Sequence, residues 1–146
     1  MKRVVLIVPI ILLWSVSLVF AASPVGKWKT IDDETKKEKS IIEIYEQGGK
    51  YFGKILTLLQ EPNGGAGKLC TKCTGADLNK PIVGMVNLKD MKQDGEEYSG
   101  GTIMDPASGK TYKCKMKVTE DGKKLQVRGF IGFSLLGKTQ EWIKVE

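Results

Sequence analysis

"GGTIMDPASGKTYKCKMKVTEDGKKLQVRG", residues 100–129, is the stretch on which the fold turns. From Tyr112 onward two kinds of residue alternate. Tyr112, Cys114, Met116 and Val118 fall on one side, and Lys113, Lys115, Lys117 and Thr119 on the other. Successive side chains of a β-strand point to opposite faces, so this is a strand with one face buried and one in water. It is bracketed by "PASGK" and "EDGK", whose Pro, Ser, Gly and Asp preset turn dihedrals or tolerate positive φ. Past the second turn Leu125, Val127, Gly129 and Ile131 repeat the same spacing.

The same grammar extends in both directions. "VGKWKTIDD" passes through the charged turn "ETKKEK" to "SIIEIYE", and "QGGK" returns the chain into "YFGKILTLL". After a long gap come "PIVGMVNLKDM", a turn at "KQDGE", and "EYSGGTIMD", while "KTQEWIKVE" closes the sequence. These are eight strand-like runs, and none shows a helical period. Eight short antiparallel strands joined mostly by hairpin-length turns must bury one face and dispose of two edges. An up-and-down barrel closed on itself does both. Glycines inside the runs, at Gly53, Gly84, Gly100, Gly101 and Gly129, suit the kinks and bulges of a small coiled barrel. A two-sheet sandwich is the alternative, although sandwiches commonly use longer crossovers than these. The expected fold is therefore all-β, an eight-stranded antiparallel up-and-down barrel.

The first residues belong to a different kind of segment. Lys2 and Arg3 precede an apolar run from Val4, and the stretch ends in "VFAAS". A basic start, an apolar middle and small residues at the exit describe a secretory signal peptide. With Val19 and Ala21 at the −3 and −1 positions, the expected cut follows Ala21. This divides the chain into a leader, residues 1–21, and one barrel domain, residues 22–146. An uncleaved anchor is the alternative, since about 20 apolar residues can span a bilayer. Processing leaves no stable membrane anchor and implies a periplasmic protein.

The chain carries 23 basic and 17 acidic residues. Loss of Lys2 and Arg3 leaves 21 against 17, a net charge of +4. The lysines are spread over turns and exposed strand faces, without the clustered patch and interleaved aromatics that a nucleic-acid site needs, so no nucleic-acid partner is expected. The sequence contains no histidine, which removes Ser-His-Asp and Cys-His catalysis, His-based zinc sites and His pH switches together. Glu43 and Glu46 stand three apart on a strand, hence on opposite faces, and make a poor acid-base pair. No catalytic residue, metal ligand set or cofactor is expected, and the chain is not read as an enzyme.

"GKWKT", "EIYEQGGKYFGKI", "CTKC", "PIVGM", "GGTIMDPASGKTYKCKM" and "LQVRGFIGFSLLGKTQEW", in this order and spacing, resemble a prokaryotic exported family, domain of unknown function 2147. The resemblance runs from about Pro24 to Val145, nearly the whole expected mature chain, and implies a lipocalin-like barrel of the calycin type without bringing an established activity. Gly26-Lys27-Trp28 is similar to the G-x-W start of such barrels, in which a late arginine packs over the tryptophan. The resemblance therefore implies that Arg128, the only arginine left after processing, stacks on Trp28 at a closed end.

Cys70 and Cys73 form a C-x-x-C inside a long strandless stretch, residues 60–80. A redox centre of this spacing wants a following helix, and a structural zinc site wants four ligands where only three cysteines exist. An exported protein favours a disulfide. The simplest is Cys70–Cys73, with Cys114 a buried free thiol. A bridge from either loop cysteine to Cys114 is the alternative.

The inward row would hold Ile42, Ile44, Ile82, Val86, Tyr112, Met116, Val127 and Ile131. Such a row either fills the barrel or lines a ligand cavity. Tyr98, Tyr112 and Met116 are the candidate ligand-binding residues, the tyrosines through their hydroxyls. Asp105, ahead of Pro106, opens a hairpin turn. Two functions follow. One is a barrel that binds a small apolar or amphipathic molecule without catalysis. The other is an envelope interaction or stress protein with a solid barrel and a site on the 60–80 loop, its protein partner unknown.

Overall fold

A computed structural model of the chain describes residues 12, 14–16, 22–132 and 137–145. The expected leader lies almost wholly outside the described residues. Eight strands, β1 (Gly26–Ile31), β2 (Glu38–Gln47), β3 (Lys50–Leu58), β4 (Val86–Asp94), β5 (Glu97–Asp105), β6 (Lys110–Thr119), β7 (Lys124–Phe130) and β8 (Gly137–Lys144), form a closed barrel in sequence order. Every neighbouring pair is antiparallel, and closure comes from β1 against β8, with Trp28 opposite Lys144 and Lys29 opposite Ile143.

The alternation of β6 puts Cys114 and Met116 inside and leaves Lys113 exposed. Bulges then bend the wall. Asp90 has positive φ within β4, where the pairing with β5 skips from Lys89–Thr102 to Lys92–Ser99. Gly101 is required beside this bulge, because a Cβ there would stand 2.1 Å from the Lys89 carbonyl oxygen and 2.6 Å from Met91 Sδ.

The fourth strand starts later than "PIVGM" suggests. Pro81 makes only an isolated bridge to Leu69, the Ile82 N–H donates to Lys68, and the Gly84 N–H donates to Ile55. These bonds fold residues 81–85 back as part of a loop spanning residues 59–85, so Ile82 and Gly84 are loop residues. Ile82 is nevertheless buried, packed under the loop. Ile131 also departs from the expected inward row: β7 ends at Phe130, and Ile131 is 68% exposed.

The two ends of the barrel differ. At the end carrying the β2–β3, β4–β5 and β6–β7 turns, Trp28, Ile44, Leu88, Met91, Met116 and Leu125 pack together at 0 or 1% exposure. Burying each such side chain contributes about 1.5–3 kcal/mol. Residues 22–25 cross beneath this packed half. The Trp28 Nε1–H donates to the Pro24 carbonyl at 2.7 Å, the Tyr98 hydroxyl to the Ala22 carbonyl at 3.1 Å, and Lys144 Nζ to the Val25 carbonyl at 3.0 Å.

The cation over Trp28 is Lys144, whose Nζ lies 4.7 Å from the ring centroid. Arg128 does not take that place. It sits between inward Val127 and Gly129, so its side chain points outward, where Nη1 donates to Thr139 Oγ1 at 2.8 Å. Closure of the barrel sets Lys144 opposite Trp28, and this pairing decides which cation reaches the indole.

Candidate ligand cavity

The other end is hollow. A cavity of about 1110 Å³ opens among the β1–β2 loop, the 59–85 loop and the β5–β6 turn. Its apolar wall comes from Ile42 of β2, Ile55 of β3, Ile103 of β5, Val127 of β7 and Trp142 of β8. Each occupies an inward position, and the filled half beneath them stops the cavity from running through.

Polar and charged side chains make up much of the rest of the lining. Thr30 Oγ1 and Ser40 Oγ, both buried, share a hydrogen bond of 2.7 Å across β1 and β2. Gln140 accepts from Trp142 Nε1 at 3.2 Å and donates from Nε2 to Asp33 at 2.8 Å, tying the wall to the β1–β2 loop. Asn87, 5% exposed, donates from Nδ2 to the Met104 carbonyl at 3.1 Å. The rim carries both signs of charge, including Lys39, Lys68 and Lys72 against Asp32, Glu61 and Asp105. Thr35, through its backbone N–H and its hydroxyl, holds Asp32 below the usual carboxylate range.

The 59–85 loop forms one side of the mouth. Cys70 and Cys73 are joined in a disulfide and both are buried. Their sulfurs rest on the β5–β6 hairpin: Cys70 Sγ is 3.5 Å from the Pro106 carbonyl oxygen, and Cys73 Sγ is 3.8 Å from Met104 Sδ. The loop's own limbs pair through Cys70 N–H to Lys80 and Asn79 N–H to Cys70, and Lys68 forms an ion pair with Glu61. Gly109, with φ 74°, makes the docking geometrically feasible, since a Cβ there would stand 1.8 Å from the Lys72 carbonyl oxygen. Asp105 opens this hairpin as its sequence suggests, accepting from the Ala107 N–H at 3.0 Å and the Ser108 hydroxyl at 3.1 Å.

Of the three residues expected to contact a ligand, only Tyr112 lines the cavity. Met116, 1% exposed, belongs to the packed half. Tyr98 is there too, edge-on to Tyr51 at 4.9 Å, and its hydroxyl is engaged with Ala22. Burial first, and then neighbouring Tyr51, raise its pKa. Both stand too far along their strands, on the packed side of the Ile103–Tyr112 pair. Sequence reading passes over Asn87, Gln140 and Trp142. The i, i+2 spacing of Gln140 and Trp142 on a terminal strand was a usable signal. Asn87 carried none, since Asn87 and Leu88 are adjacent and both buried where the bulged β4 loses strict alternation.

Cys114 is free and buried inside the barrel, and burial pushes its thiol pKa up to about 12. It is an inert packing residue rather than a nucleophile. Among the described residues no three His, Cys, Asp or Glu side chains are grouped as a metal site requires.

A closed eight-stranded up-and-down barrel, filled at one end and hollow at the other, is the architecture of the lipocalin-like proteins. The chain belongs to the bacterial family described as "Uncharacterized protein conserved in bacteria (DUF2147)", whose model matches residues 26–144. A solved structure from the human pathogen Helicobacter pylori, of a protein described as belonging to the lipocalin family, is similar to it at a TM-score of 0.75. The two share 22% sequence identity, with 86% of this chain and 85% of that chain covered, a likeness of fold. No curated protein matches the sequence.

Proposed function

We propose that this protein is an exported, non-catalytic carrier or sensor that takes a small amphipathic molecule into the hollow half of its barrel. The observation that carries the reading is the cavity of about 1110 Å³, closed below by a packed half and lined by an aliphatic and aromatic wall together with polar and charged side chains. Small-molecule sites are mostly apolar concavities with a few placed polar groups, of about 300–1,000 Å³. The solid-barrel alternative, with its site on the loop surface, fits less well, because a hollow of this size in a protein interior loses packing contacts that a filled core would gain.

Export is supported by the leader pattern and by the Cys70–Cys73 disulfide, a bond suited to an oxidising compartment. Among the described residues the first to bond the barrel is Ala22, which follows the expected cut. The absence of histidine and the inert state of Cys114 support a binding role over a catalytic one.

The test is a titration of the purified protein with the neutral apolar fluorophore N-phenyl-1-naphthylamine. Saturable uptake of one equivalent with a blue shift is expected, and Val127→Trp, which fills the cavity from its wall, should abolish it while the variant stays folded by circular dichroism. No saturable uptake by the wild type, or equal uptake by the filled variant, would contradict the reading.

A further inference from the structure

We infer that the hollow half takes a single-tailed amphiphile tail-first and measures the tail against a floor that β4 helps to build, while the polar head stays at the rim. The inference rests on the ligand-binding reading above and adds the ligand's shape and orientation.

The lining sorts by depth. On six of the eight strands the lining residue farthest from the mouth is aliphatic or aromatic: Ile42, Ile55, Ile103, Tyr112, Val127 and Trp142. On the other two strands it is Thr30, bonded to Ser40, and Asn87, whose Nδ2 is bonded to the Met104 carbonyl. The charged side chains of the lining lie nearer the mouth, in loops or at strand ends. Lys39 is second in β2, Asp105 last in β5 and Lys138 second in β8.

Below the apolar layer comes the floor. The next inward positions on β2 and β7 are Ile44 and Leu125, both 0% exposed. On β3 and β5 they are glycines, and β4 fills the space these leave. A Cβ on Gly53 would stand 2.9 Å from Leu88 Cβ and 3.1 Å from Ile42 Cγ2, and one on Gly101 would stand 2.6 Å from Met91 Sδ. Leu88 and Met91, each 0% exposed, therefore lie against the neighbouring strands beneath Ile55 and Ile103.

The side chains of Ile44, Leu88, Met91 and Leu125 are hydrocarbon apart from one thioether. A polar head pushed down to them would give up its water without a hydrogen bond in return, whereas a hydrocarbon tail loses nothing there. The tail takes the floor, and the head keeps water and the charged rim. A tail shorter than the depth leaves the floor uncovered. A longer one sets its surplus methylenes among the rim charges, where they bury little more, so affinity climbs with tail length and then levels off.

The experiment is displacement of bound N-phenyl-1-naphthylamine from the purified protein by the straight-chain alcohols from 1-hexanol to 1-dodecanol. Affinity should rise about fourfold per added methylene and level off within the series. The n-alkyl β-maltosides, used below their micelle-forming concentrations, should level off at the same tail length, because their bulky head stays outside. Leu88→Ala, which lowers the floor, should carry the rise to a longer alcohol. The wild-type series needs no variant, so a misfolded Leu88→Ala leaves the test intact. A rise continuing unbroken to 1-dodecanol, or maltosides that displace nothing while the alcohols do, would overturn the inference and leave the cavity as a binding site. An unchanged levelling point in a folded Leu88→Ala would overturn the part given to β4. Failure of the fluorophore itself to bind would remove the ligand-binding reading along with it.

Discussion

At Cys114 a thiol sits in an all-apolar interior, and its chemistry follows from that placement. The inward position was legible from the alternation with Lys113 and Lys115, because a period of two needs no tertiary information. With the native pKa raised by burial to about 12 from an ordinary thiol value of 9.0, the folded chain keeps a proton that the unfolded chain releases in alkali. Below about pH 9 both states hold it and nothing changes; above that, stability falls as pH rises, by up to about 1.4 kcal/mol per pH unit. Urea unfolding between pH 8 and 11 should therefore show a steeper loss for the wild type than for Cys114→Ala, and parallel curves would contradict the burial. In the native protein at pH 8 a thiol reagent should modify no cysteine, and in denaturant it should modify one. Arg128 shows the limit of reading residues singly. A G-x-W start asks for a cation over the indole, but which cation depends on the β1–β8 register that places Lys144 opposite Trp28. Asn87 was beyond reach for a related reason: a bulge displaces the alternation that marks a strand's inner face.

Among the elements, the 59–85 loop divides into what its own residues specify and what its neighbour specifies. The Cys70–Cys73 bridge is local, and its geometry is available to a four-residue turn without any partner. Docking on the β5–β6 hairpin is a tertiary fact, carried by the room Gly109 leaves for the Lys72 carbonyl and by sulfur contacts to Pro106 and Met104. Apolar "PIVGM" reads as a strand because a short apolar run has no period that separates a buried loop from a buried strand. Cys70→Ser/Cys73→Ser should lower stability by about 2 kcal/mol, the chain-entropy value for so short a loop, and leave the barrel's circular dichroism unchanged. Limited proteolysis should then cut within residues 59–85 and spare the strands; cuts spread over the barrel would mean that the loop supports the whole fold. Gly109→Ala should open the same cleavage sites with the disulfide intact, because a Cβ cannot share space with the Lys72 carbonyl.

For the whole molecule, eight strands, tight turns and one buried face already favoured a closed sheet over a two-sheet sandwich, and the barrel was legible from them. How the interior is shared between packing and cavity was not, because inward rows read alike at both ends: Ile44 is core and Ile42 is cavity wall, two residues apart on one strand. Depth along the barrel is set by where the bulges and the residues 22–25 crossing fall. Export belongs at this scale as well: N-terminal sequencing of the protein from a periplasmic extract should begin at Ala22, whereas an intact Met1 in the membrane fraction would support the anchor. The central claim, one filled half and one hollow half that admits a ligand, is tested most directly by isoleucine methyl NMR during titration with 1-decanol. The account predicts saturable shifts at Ile42, Ile55 and Ile103, with Ile44 unmoved. Shifts confined to the exposed Ile143, or equal shifts at Ile44 and Ile42, would contradict it.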